Sequence, residues 1–258
     1  MGNIQILQKK GPMPGAIFRF YEELNDFLPR HRRKTDFEAD FKGRRSIKDM
    51  IESLGVPHTE VDLILINGKS VDFTYILMDR DRVSVYPVFE TFNIEHVTRL
   101  RGTPLRGTRF IADTNLGNIA KYMRVLGLDV SYDPSLSAHR IIEISKKEQR
   151  IILTRSTKLL KFKDVTHGVF LRPGTMEEQI RGVIETLDIK DSLKPFSRCL
   201  LCNSLLESIP KEKVFDKIPP KVRGLYNEYT RCNLCGKIYW KGTHYHRMKK
   251  WMNSILNL

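Results

Sequence analysis

Residues 110–133 read FIADTNLGNIAKYMRVLGLDVSYD. Phe110, Ile111 and Ala112 form a short apolar run that stops at Asp113. Beyond a polar turn, Leu116, Ile119, Ala120, Met123 and Leu126 recur at the spacing of one helical face, and Gly127 supplies the stop. LDVSYD (128–133) then reads as a second strand. The alternation continues with SAHRIIEISKKEQ (137–149) as a helix and RIILT (150–154) as a strand. STKLLKF (156–162) follows as a short helix and GVFLR (168–172) as a strand. A last helix, TMEEQIRGVIETLD (175–188), opens with Thr175 and Glu178 at capping-box spacing. Strand and helix in strict turn call for a mainly parallel sheet covered by helices, an α/β unit over residues 107–192.

In such a sheet, chemistry collects outside the carboxyl ends of the strands. Asp113 stands at such an end, where its carboxylate can hold a hard cation over a phosphodiester. A lone Asp after a strand serves more often as a helix cap, so Asp113 needs companions. The third strand ends in Thr154-Arg155-Ser156, where an acid is expected, so Ser156 marks either an ordinary surface turn or a gap in an active site.

Downstream, residues 194–258 contain all four cysteines, as Cys199-x-x-Cys202 and Cys232-x-x-Cys235 with 29 residues between the pairs. Two such knuckles offer four thiolates for tetrahedral zinc, and a four-Cys set leaves no open position for catalysis. Disulfides are the alternative, and two-residue loops suit them poorly. The segment KIYWKGTHYHRMKKW (237–251) interleaves Lys237, Lys241, Arg247, Lys249 and Lys250 with Tyr239, Trp240, Tyr245 and Trp251. That mixture suits backbone contact and base stacking on single-stranded RNA. The alternative is that the aromatics cover the knuckles while the charges face water.

Upstream, residues 1–92 read as a small mixed α/β unit. AIFRFYEEL (16–24), TDFEADF (35–41) and DRVSVYPVF (81–89) are strand candidates, SIKDMIESLG (46–55) is an amphipathic helix, and Asn67-Gly68 sits between two apolar runs as a hairpin signal. TRLRGTPLRGT (98–108) reads as a linker or edge strand whose Arg99, Arg101 and Arg106, with Arg109 beyond, are candidates for phosphate contact.

The chain has 258 residues and a net charge of +14, unevenly spread. Residues 1–92 carry 14 basic against 14 acidic side chains, 93–193 carry 17 against 12, and 194–258 carry 13 against 4. The positive field therefore belongs to the last two thirds and suits a polyanion such as RNA; a solubilising surface is the competing account. No stretch approaches the ~20 apolar residues of a membrane span, and the amino terminus has neither a secretory apolar run nor the serine or threonine of a myristoylation signal, so the expectation is a cytoplasmic protein.

Two resemblances sharpen this reading. SIKDMIESLGVPHTEVDLILINGKSVDF (46–73) with DRVSVYPVFE (81–90) resembles a ubiquitin-like β-grasp domain of the sulfur-carrier type. A carrier of that type ends in a free Gly-Gly, whereas this chain runs on, which implies a module that docks a protein partner. FIADTNLGNIAKYMRVLGLDVSYD, RIILTRSTKLLK (150–161) and the double-CxxC tail with CGKIYWKGTHYHRM (235–248) are similar to the mut-7 carboxy-terminal RNase-domain family, a PIN-like nuclease fold with a zinc ribbon. The resemblance implies metal-dependent hydrolysis of RNA by acids holding Mg²⁺ or Mn²⁺. The first family acid falls on Asp113. The later ones fall on Ser156, Ala138 and His139, leaving Asp113 with, at most, Asp133 nearby. With acids gone, a basic cleft lined by Lys121, Arg124, Arg155 and Lys158 holds phosphate with less repulsion. For Lys121 and Arg124 the alternative is the solvated face of an amphipathic helix. Two functions therefore stand side by side: a metal-dependent ribonuclease, or a non-catalytic RNA-binding or adaptor protein on a degenerate nuclease fold.

Overall fold

The computed structural model describes residues 13–87 and 108–256. Arg99, Arg101 and Arg106 lie outside the described residues. The chain divides into two compact units, Met1–Pro104 and Leu105–Leu258.

In the first unit, β1 (Gly15–Phe20), β2 (Phe37–Asp40), β3 (Val61–Ile66), β4 (Lys69–Ser70) and β5 (Arg82–Pro87) form one sheet in the order β2-β1-β5-β3-β4. Only the β1–β5 pair is parallel. Helix α1 (Ile47–Ser53) is capped by the Ser46 hydroxyl and packs Ile47, Met50 and Ile51 into a core with Phe18, Phe20 and Val85. Asn67 and Gly68, with φ of 50° and 80°, make the β3–β4 turn, because a two-residue hairpin needs positive φ at both positions.

The second unit is built on β6 (Arg109–Ala112), β7 (Asp129–Ser131), β8 (Ile151–Thr154) and β9 (Gly168–Phe170), all parallel in the order β7-β6-β8-β9. Side chains alternate across this sheet as its period of two requires. Phe110, Ala112, Ile151 and Leu153 face α2 (Gly117–Val125) and α5 (Met176–Thr186); Ile111 and Ile152 face α3 (Ala138–Glu148) and α4 (Thr157–Leu160). From β6 the chain first steps to β7 and then crosses to β8. The reversal leaves a crevice above the carboxyl ends of β6 and β8, where open α/β sheets bind ligands.

The cysteine-rich segment adds α6 (Pro220–Arg223) and an antiparallel sheet of β10 (Leu206–Ile209), β11 (Tyr229–Cys232) and β12 (Ile238–Trp240), followed by α7 (Thr243–Leu256). This segment packs within the same unit as the parallel sheet. Helix α7 inserts Met252, Ile255 and Leu256 into the α2–α5 core, and the Trp251 indole donates to Glu177 Oε1 at 3.0 Å. Gly127 ends α2 at φ +85°, and a Cβ there would overlap the Lys194 carbonyl. Only glycine admits the segment that docks over this helix end through Lys194 N–H to Leu126 O and Phe196 N–H to Val125 O.

Candidate functional site

Asp113 leaves β6 at the crevice. Its Oδ2 accepts from Thr154 Oγ1 at 2.6 Å, and its Oδ1 accepts from the Thr114 N–H at 2.7 Å. Thr154, fully buried at the end of β8, also accepts from the Ser156 N–H. The Ser156 hydroxyl in turn accepts from the Leu159 N–H, so this serine is the cap of α4. Tyr132 roofs the start of α2 by donating to Thr114 O at 2.8 Å, and a Cβ on Gly117 would come 2.9 Å from its phenol oxygen. Beside this start lies an open cleft of about 420 Å³. Thr114, Asn115, Gly117, Asn118, Tyr132 and Arg155 give it polar walls; Leu116, Ile119 and Met176 give it apolar ones. Arg155 is exposed and aimed by its bond to Gln179 Oε1 at 2.6 Å, while Gln179 itself anchors on Arg172 O. Asp133 follows β7 in the register that runs alongside Asp113, but it is exposed and folded into a turn with Ser135, whose hydroxyl and N–H hold its carboxyl below the usual range.

The four cysteines form the second site. Their sulfurs lie within 4.8 Å of one another, with Cys199–Cys235 at 3.5 Å and Cys202–Cys232 at 3.3 Å. A Zn–S bond of ~2.3 Å sets tetrahedral edges near ~3.8 Å, so the donor set fits that ion in kind, number and spacing. Two matching hairpins present the thiols. Cys199 N–H bonds Ser204 O and Cys232 N–H bonds Lys237 O, and each hairpin turns on a left-handed residue, Asn203 at φ 69° and Gly236 at φ 71°. Sulfurs this close compete for protons. Burial opposes ionisation of Cys202, but hydrogen bonds from Ser204 and the neighbouring thiols outweigh it and lower its pKa to about 6. At Cys235 a bond from the Lys237 N–H favours the thiolate, yet burial and the shared thiol protons push it up to about 12. A bound cation removes this conflict by taking all four as thiolates. Burial and its bond to Cys199 raise the Tyr239 pKa, keeping a phenol that donates to the Cys199 sulfur at 3.2 Å.

Among the described residues these cysteines are the sole group of three or more His, Cys, Asp or Glu side chains gathered closely enough to share an ion. The parallel sheet and the cysteine hairpins together fall inside one match, to the family described as Mut7-C RNAse domain, over residues 108–252. The chain belongs to the Mut7-C RNAse domain family. Residues 13–93 match the Mut7-C ubiquitin family, so a ubiquitin-like domain precedes the RNAse domain. No curated protein and no solved structure gives a significant match.

Within this Mut7-C RNAse domain the candidate cations have different fates. Arg155 and Lys158 are exposed near the carboxyl edge, and Lys121 is half-buried on α2 against the Tyr122 ring. Arg109 is exposed at the start of β6, the opposite end of the sheet. Lys237 and Arg247 are exposed on the cysteine-rich segment; Lys241 is exposed and paired with Glu228. Arg124 departs from its expected place in a basic cleft. It is 4% exposed, with Nε and Nη2 donating to Val130 O and Nη1 donating to Leu200 O and Leu201 O at 3.0 and 2.9 Å. Its guanidinium therefore ties β7 to the first cysteine hairpin and has no face for RNA. Burial lowers its pKa, against the pull of Cys199, Cys202 and Asp129. Asn203 makes a parallel tie, accepting from Val130 N–H and donating to Asp129. The aromatics of the tail are also occupied: Tyr239 serves Cys199, Trp240 packs beside Tyr229, and Trp251 lies 4.4 Å from Tyr122. Thr154, Tyr132 and Gln179, which shape the cleft, are not among the candidate site residues of the sequence; their places at or beside strand ends are the signal that points to them.

No helix among the described residues is long and apolar enough to cross a membrane. Family and four-thiol site together support an RNA-related role and a metal such as zinc.

Proposed function

We propose that this protein holds single-stranded RNA across the carboxyl edge of its parallel sheet and does so without hydrolysing it. The observation that carries this reading is the lining of the cleft, where a guanidinium, two side-chain amides, a phenol and the first turn of a helix meet with no carboxylate among the lining residues. Such a surface accepts phosphate oxygens. It offers little to a Mg²⁺ or Mn²⁺ ion, which is held by one or two carboxylates plus substrate phosphates, because Asp113 stands near the mouth without a second carboxylate directed at it and each of its oxygens already accepts a hydrogen bond. Lys158, Lys237, Lys241 and Arg247 extend the contact as exposed cations, the cysteines hold zinc as a structural ion, and the ubiquitin-like domain docks a protein partner in the cytoplasm.

Hydrolysis is the second reading, favoured by the position of Asp113 above the switch point of the sheet. One experiment separates the two. Zinc-loaded full-length protein is incubated with labelled single-stranded RNA in Mg²⁺ or Mn²⁺, and retention and cleavage are followed together for the parent, Asp113→Asn, Arg155→Ala and the double variant Ser156→Asp, His139→Glu. The expected result is retention without cleavage by the parent, unchanged in Asp113→Asn. In Arg155→Ala the salt slope of binding falls by about 0.7 for each phosphate that the protein no longer neutralises. Cleavage by the parent that vanishes in Asp113→Asn overturns the proposal in favour of hydrolysis.

A further inference from the structure

Two planar rings stand exposed at the start of α3 and just after α4, on the sheet face opposite α2 and α5. His139, in the first turn of α3, meets Phe162, which follows α4, edge to face at 5.4 Å between centroids and 77° between planes. Phe162 is 38% exposed and absent from the core beneath it, where Leu159, Leu160 and Val165 pack on Ile141 and Ile142. Its backbone is nonetheless fixed on both sides, by Phe162 N–H to Leu159 O and Val165 N–H to Phe162 O. An aromatic side chain on a fixed backbone, braced by one ring contact and unused by the core, presents its ring at a reduced ordering cost on binding.

The charges around the pair select the occupant. Of the acids on α3 and after α4, Glu143 is paired with Arg140, Glu148 with Arg150 and Asp164 with Lys146, while Asp133 stays charged in the turn before α3. Among the described residues Lys158 and Lys163 are exposed and carry no carboxylate partner. α4, a single helical turn, separates Arg155 in the cleft from Phe162, a step of the order of 10 Å that a nucleotide or two can span. Cations that track a backbone beside an open ring are the elements of a single-strand stacking site. We infer that the Phe162–His139 pair is a platform on which an unpaired base of RNA stacks while the adjoining phosphates lie along Lys158 and Arg155. The inference rests on the RNA-binding reading and adds to it the part of the RNA, base as well as backbone, that the protein recognises.

The test uses zinc-loaded full-length protein, with fluorescence anisotropy on two labelled probes of equal length: an oligoadenylate and an abasic strand with the same phosphates. The parent is expected to prefer the oligoadenylate by about 5-fold or more, the contribution of one stacked base. Phe162→Leu, which keeps apolar bulk and removes the ring, is expected to lose that preference while its abasic affinity and salt slope stay at the parent's values. Phe162→Tyr is expected to keep the preference, which guards against a folding effect of the leucine variant. Lys158→Ala is expected to weaken both probes and lower the slope. If Phe162→Leu retains the parent's preference, the platform is overturned and the RNA-binding reading stands. If the parent retains neither probe, RNA binding itself fails and the platform with it, leaving a protein surface as the use of these rings.

Discussion

Replacing Arg124 by methionine preserves the packing of the aliphatic stem and deletes four hydrogen bonds to three carbonyls. The two to Val130 O are buried, so that oxygen is left without its side-chain partner, at about 1–3 kcal/mol. Leu200 O and Leu201 O lie at the rim of a hairpin whose Leu201 side chain is 65% exposed, so water replaces part of each bond and the cost is nearer 0.5–1.5 kcal/mol apiece. Release of a desolvated charge returns some of this, which places the net loss at about 3 kcal/mol. For a unit of this size each kcal/mol moves the midpoint by roughly 2–4 °C, so Arg124→Met is expected to melt roughly 6–12 °C below the parent. Both tryptophans, Trp240 and Trp251, lie in the second unit, so indole fluorescence reports its melting free of the ubiquitin-like domain. Because the hairpin loosens with the tie, transfer of zinc to a chromogenic chelator is also expected to quicken. Arg124→Lys, with one donor group in place of a fork, is expected to recover less than half of the shift. A midpoint within ~2 °C of the parent would refute this reasoning. So would a loss of RNA affinity at an unchanged midpoint, which would return Arg124 to the surface.

Two further outcomes follow from the same region. Cys232→Ser removes one of four donors at a buried position, and the variant is expected to lose its equivalent of zinc by elemental analysis and to unfold β10–β12 first, since structural zinc contributes about 10–16 kcal/mol in small finger domains; full zinc content in the variant would contradict a four-thiol site. Burial raises the Asp129 pKa, but bonds from Arg150 and Asn203 outweigh it and leave the folded value below the usual carboxylate range. Its stabilising contribution is therefore complete above the unfolded pKa near ~3.9 and is lost as pH falls through the lower folded value. Asp129→Asn should be less stable than the parent at neutral pH, and the two melting curves should converge below about pH 4; curves that stay parallel across this window would show that the ion pairs of Asp129 add nothing.

The parallel sheet was legible because each of its strands is a short apolar run closed by turn residues, and each helix packed on it shows its buried stripe at 3.6 spacing. The four thiols were legible because cysteine is rare and its CxxC spacing has few other uses. What escaped the sequence depends on groups that meet from far apart in the chain. Arg124 sits on the polar side of α2, which periodicity assigns to water, but the hairpin at Leu200–Leu201 covers that side from 76 residues away. Likewise Met248, Met252 and Ile255 stand at helical spacing in α7, a stripe that the interleaved cations and aromatics obscure; the helix closes the core with that face and leaves Arg247, Lys249 and Lys250 exposed on the other.

Ser156 shows where physical constraint ends and chemical choice begins. It caps α4, and its N–H bonds Thr154 Oγ1, which in turn bonds Asp113. Aspartate caps a helix about as well as serine does, and its backbone N–H would make the same bond to Thr154. The fold therefore accepts either residue, and stability does not decide between them. What differs is charge, since a carboxylate at this position would add a negative group next to Arg155 in the chain and one residue from Asp113 along the Ser156–Thr154–Asp113 hydrogen-bond chain. A hydroxyl leaves the guanidinium of Arg155 without a local counter-charge of that kind, which favours a phosphate there over a divalent cation. The identity of residue 156 thus bears on what the cleft binds, and Ser156→Asp is the substitution that can change the ligand while leaving the architecture intact.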